Sequence, residues 1–77
     1  MDKKFNGHKN WNHWNVALWI NNDARLYRMA LAHIRKTGNK DAAARWMFFD
    51  LRANVATHTP DDAPYSISSV RAAMVGM

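Results

Sequence analysis

Cysteine is absent from the 77 residues, and so are glutamate and glutamine. Without cysteine, no disulfide or thiolate-held metal can staple so short a chain, and cysteine-based redox and nucleophile chemistry is excluded. Stability must come from packing, with help from self-association or a partner. Without glutamate, the acidic side rests on six aspartates against eleven lysines and arginines, a formal net charge of +5. That balance excludes an acidic DNA mimic and permits contact with nucleic acid, an anionic membrane surface or an acidic protein patch. The three glycines are isolated, so no phosphate-cradling loop can be built from them. No apolar run approaches the roughly 20 residues of a membrane span. The N-terminal MDKKFNGHKN carries lysines but no apolar segment of the secretory type. A cytoplasmic protein without a membrane segment is therefore expected.

What is present is apolar and aromatic. The hydrophobic share of 48% and four tryptophans argue against disorder. The length fits one domain. Apolar residues recur at helical spacing, and period-two alternation is confined to Tyr65-Ser66-Ile67. The expected fold is all-α, a compact domain of three to four helices with no sheet. Residues 1–9, with Lys3, Lys4 and Lys9, are expected to form a mobile basic arm, and residues 10–77 the helical domain.

The first helix is expected over about 11–20, capped by Asn10 or Asn12. Trp11, Trp14 and Leu18 share one face, Val16 and Ile20 lie nearly opposite, and Trp19 falls between. A helix apolar almost all round is normally covered on several sides. This one is therefore expected to be the central post, with Trp11, Trp14, Leu18 and Trp19 in the core. Asn21-Asn22-Asp23 reads as a break. The second helix, about 24–36, sets Leu26, Tyr27, Ala30, Leu31 and Ile34 against Arg25, Arg28, Arg35 and Lys36. Gly38 is the expected stop. The third, about 41–57, carries two stripes: Ala44, Met47, Phe48, Leu51 and Val55, then Ala42, Trp46, Phe49, Ala53 and Ala56. Arg45 and Arg52 separate the stripes on one side, Asp50 and Asn54 on the other. A proline-flanked loop over 59–64 precedes a short helix at about 66–75, capped by Ser66, with a stripe of Ile67, Val70 and Met74.

The residues Asn10, Trp11, Trp14, Asn15, Val16, Leu18, Trp19, Asn22, Asp23, Leu26 and Tyr27 form an unusual pattern. It runs as asparagine, an aromatic, a Trp-Asn-Val-x-Leu-Trp stretch, then Asn-Asp and a Leu-Tyr pair. In this pattern the chain resembles a family of short uncharacterised proteins found mostly in phages and plasmids. Family members commonly carry acidic residues where this chain has Asn12 and Ala24. The resemblance covers residues 10–27 and implies a small helical accessory protein of a mobile element. It implies no established activity.

Candidate sites are few. The histidines His8, His13, His33 and His58 include no pair at the i, i+4 spacing of a helical metal site, so no metal or cofactor is expected. Asp61 and Asp62 sit between prolines and read as turn and cap residues rather than paired catalytic carboxylates. No serine nucleophile motif occurs, and an enzyme is not expected. Asn15 is expected to be buried, tying loops together by side-chain bonds to backbone. Arg25, Arg28, Arg35 and Lys36 form a basic face that can track phosphates. The second stripe of the third helix is either covered by the last helix or it is an interface. Its large aromatics with small neighbours mark Trp46, Phe49 and Ala53 as a partner-binding surface. With the resemblance, these features point to a non-enzymatic phage-type protein that binds a host protein, or a protein–nucleic acid machine, and modulates or inhibits it. The alternative is direct DNA or RNA binding by the arginine face, and a homodimer through the aromatic stripe is a further option.

Overall fold

Each helix begins where a short polar side chain can accept a hydrogen bond from the first free backbone N–H groups. The computed structural model describes residues 7–77, so most of the expected basic arm lies outside the described residues. Asn10 accepts from the His13 N–H at 3.0 Å and opens α1, Trp11–Asn22. Asp23 accepts from Leu26 at 3.1 Å and opens α2, Ala24–Thr37. Asn39 accepts from Ala42 at 3.0 Å and opens α3, Lys40–Asn54. Ser66 opens α4, Ile67–Ala73, in a reciprocal capping box with Ser69. Gly38 ends α2 in the left-handed region at φ 69°, a conformation that costs glycine nothing.

The ends differ from the sequence expectation for identifiable reasons. α1 reaches Asn22 because Asn21 and Asn22 turn their side-chain amides back onto the Ala17 and Leu18 carbonyls. α3 stops at Asn54 rather than Thr57. Val55 leaves helical geometry, the Thr57 carbonyl accepts from Tyr65, and His58 forms an isolated antiparallel bridge with Pro64. α4 ends at Ala73, after which Met74, Val75 and Met77 each donate to the carbonyl three residues back. No strand forms among the described residues, and the fold is all-α.

The four helices close a ring. α1 packs on α2 and α4, and α3 packs on the same two, while α1 and α3 face each other across the ring with no Cα atoms within 8 Å. The core fills the centre with Val16, Ala17 and Ile20 of α1, Leu26 and Ala30 of α2, Ala43, Ala44, Met47 and Leu51 of α3, and Val70, Ala73 and Met74 near α4. The alanines let the helices approach closely.

Two core expectations are corrected. α1 is one side of the ring rather than a central post. Its Val16–Ile20 face points inward and its Trp11–Leu18 face outward, leaving Trp11 40% and Leu18 38% exposed; Trp14 is half-buried, and Trp19, also half-buried, packs against the core as expected. The space between four short helices is taken up by aliphatic and alanine side chains. An indole is larger and carries an N–H that needs a partner, and Trp19 finds one only at the rim.

Candidate interaction surface

The loop between α3 and α4 is held by the flank of α1. Asn15 is buried, accepts from the Thr59 hydroxyl at 2.6 Å and donates its amide to Asp61 at 2.9 Å. One turn on, the Trp19 indole N–H donates to the same Asp61 oxygen at 2.9 Å. Thr59 closes the loop on itself, its hydroxyl accepting from the Ala63 N–H and its own N–H donating to the Ala63 carbonyl. Asp62 takes the left-handed turn position at φ 76°. Asp62 is thus the turn residue the sequence suggests, whereas Asp61 is a clamp that the turn reading missed. The available signal was the i, i+4 spacing of Asn15 and Trp19, two donors on one flank of a helix. Hydrogen bonds from Asn15 and then Trp19 hold the Asp61 carboxyl below its ordinary pKa.

The outward side of α3 is different in character. Its inner face supplies Ala43, Ala44, Met47 and Leu51 to the core. The second stripe stays outside: Trp46 is 60% and Phe49 54% exposed, and Ala53 is exposed beside them. The choice left open by the sequence between coverage by α4 and an open stripe goes to the open stripe. α4 is only seven residues long, and its Val70, with Met74 just beyond its end, is buried in the common core. Phe49 is steadied by an edge-on contact with the half-buried Phe48, ring centroids 5.3 Å apart. The Arg52 guanidinium lies over the Phe48 ring at 5.4 Å, a cation–π arrangement.

The basic residues of α2, Arg25, Arg28, Arg35 and Lys36, are all exposed. At the C-terminal end of α2 this face meets the aromatic stripe: His33, Lys36, Thr37 and Trp46 line one cleft of about 280 Å³. The neighbouring aspartates are already engaged. Asp50 accepts from His33 at 2.9 Å and from Asn54 at 2.8 Å, which lowers its pKa. Asp41 pairs with Arg71 of α4 at 2.7 Å. Arg45, Arg52 and Lys36 form no ion pair among the described residues. The structure therefore joins two features that are separate in sequence, an aromatic stripe on α3 and a cation from α2.

His13 approaches Ser68 at 3.2 Å, with its pKa lowered by burial and then by Lys9 and His8. His58 is bonded to Thr57 at 2.9 Å. Tyr65 is buried, which raises its pKa, and the nearby Asp23 adds to the shift. Among the described residues no three histidines or carboxylates cluster at metal-binding distance, no buried side-chain polar atom lacks a partner, and no helix is long and apolar enough to cross a membrane.

No curated protein and no solved structure matches the chain. One family does match, over residues 1–77, and the chain belongs to it: the family of unknown function DUF7249.

Proposed function

We propose that the chain is a non-enzymatic accessory protein that binds a host protein, or a protein–nucleic acid machine, through the outward face of α3, and modulates or inhibits it. The setting in a mobile element comes from the resemblance of residues 10–27. One observation carries the reading. Trp46 and Phe49 stand side by side on the surface of a helix whose opposite face already fills the core. Large aromatics in the open are unusual on a monomer, and they are the residue types that anchor interfaces. The experiment is affinity capture from host lysate in parallel with a Phe49→Lys variant, each with and without nuclease. Nuclease-resistant capture of a discrete protein that disappears with Phe49→Lys supports the reading. Capture unaffected by Phe49→Lys counts against it.

A second reading has its own observation, the four exposed cations Arg25, Arg28, Arg35 and Lys36, none of them ion-paired among the described residues. Direct binding of nucleic acid by this face would weaken with salt at a log–log slope of about −0.9 per phosphate contact on duplex DNA. Arg28→Ala with Arg35→Ala should flatten that slope and leave melting unchanged. Absence of binding at low salt to duplex and single strands rejects it.

A further inference from the structure

The geometry of the α3 face points to a particular kind of occupant: we infer that it takes an acidic amphipathic helix, packed along Ala42, Trp46, Phe49 and Ala53. The inference rests on the proposed protein-binding role of this face and names the chemistry of the partner. The four residues follow at intervals of four, three and four, so they form one continuous strip along α3. The strip is convex and ends in alanine on both sides. Small residues of that kind let a second helix approach to ordinary interhelical distance, while Trp46 and Phe49 between them enter its grooves. A nucleic-acid strand would instead call for a groove that follows its backbone. Beside Trp46, the cleft shared with His33, Lys36 and Thr37 offers about 280 Å³ for an apolar anchor from the incoming helix.

Charge decides what flanks that anchor. Lys36 stands on the α2 side of the strip, and Arg45 and Arg52 stand along the α4 side. The two aspartates nearby are occupied, Asp41 by Arg71 and Asp50 by His33 and Asn54. The α4 margin is thus positive through Arg45 and Arg52, while on the α2 margin Lys36 stands beside the Asp50 carboxylate, and carboxylates flanking the partner's apolar stripe on the Arg45 and Arg52 side would complement it. A second copy of this chain fits poorly. An antiparallel pairing of two α3 faces sets the Arg45 and Arg52 row against itself, and a parallel pairing sets it against Lys36.

The test is selection from a displayed library of amphipathic helices, each roughly 18 residues long so as to overrun the strip at 1.5 Å per residue. Stripe positions vary among Leu, Ile, Phe and Ala, and flank positions among Glu, Lys and Gln. The inferred result is enrichment of Glu at the flanks. A selected Glu-flanked peptide should bind at least about tenfold more tightly than its Lys-flanked counterpart. Binding should be lost with Phe49→Lys, and the Glu preference should reverse with Arg45→Glu plus Arg52→Glu, all variants keeping the wild-type circular dichroism. Four results overturn the inference: no enrichment, enrichment indifferent to flank charge, a single-stranded DNA oligonucleotide that displaces the peptide and is itself lost with Phe49→Lys, or an unliganded mass twice the 8.9 kDa of one chain. If peptides fail while Phe49→Lys still abolishes capture from lysate, only the acidic helix falls and the protein-binding role of the face stands.

Discussion

Asn15 makes one side-chain bond as acceptor, to the Thr59 hydroxyl, and one as donor, to Asp61, in a buried setting. Removing it leaves the buried Thr59 hydroxyl proton without its acceptor and Asp61 with the Trp19 indole as its remaining donor. Asn15→Ala should therefore cost about 1–3 kcal/mol and lower the melting temperature by roughly 4–8 °C per kcal/mol in a domain of this size. Asp61 adds a pH dependence whose sign is fixed by its bonds. Its folded-state pKa lies below the ordinary 3.8, so its contribution is full above that value and is lost as pH falls through the lower folded one. Asp50, lowered chiefly by His33 and Asn54, acts in the same direction. Asp61→Asn should be less stable than wild type at neutral pH, and the two melting curves should converge in acid. A constant gap across that range would remove the carboxylate from the account. Local chemistry of this sort is only half legible in sequence. Asn10, Asp23, Gly38 and Ser66 announce themselves as caps because they act within three or four residues. Asp61 does not, because its donors lie 46 and 42 positions away.

At the scale of the helix, the inward and outward faces of α1 and α3 make opposite demands on substitution. Ile20 and Met47 are fully buried. Either one changed to Ala should cost about 2–5 kcal/mol, a large share of what so small a domain has. Trp46→Ala, at a ring that stands mostly in water, should shift stability by no more than about 0.5 kcal/mol. Denaturant titration of the variants side by side checks the order, and an equal loss at Ile20 and Trp46 would contradict the assignment of faces. The periodicity of α1 separates the Trp11–Trp14–Leu18 side from the Val16–Ile20 side correctly. It cannot say which side faces in, because both are apolar and the larger residues suggest the wrong answer. Volume resolves it: the interior between four short helices, lined with Ala30, Ala43, Ala44 and Ala73, suits branched aliphatics better than indoles. In α3 the two stripes are legible as two stripes. The second stays uncovered because it lies on the side of α3 away from the Ala43, Ala44, Met47 and Leu51 face that meets the other helices.

For the whole molecule, the ring of four helices completes its core and still leaves an aromatic strip on α3 facing solvent, flanked by Arg45 and Arg52, which form no ion pair among the described residues. A net charge of +5 helps keep such a surface from self-association. Static light scattering at moderate salt should accordingly report a single chain. The strip and the basic residues of α2 meet only in three dimensions, through the cleft between Lys36 and Trp46, which no spacing in the sequence discloses. The account stands or falls on whether that surface meets another molecule. Site-specific photo-crosslinking, with a photoreactive phenylalanine analogue in place of Phe49 and in cells that naturally carry the gene, measures this most directly. The account predicts one discrete protein adduct from position 49 and none from a control analogue at Arg28. No adduct from position 49, or one made only with a second copy of this chain, would contradict it.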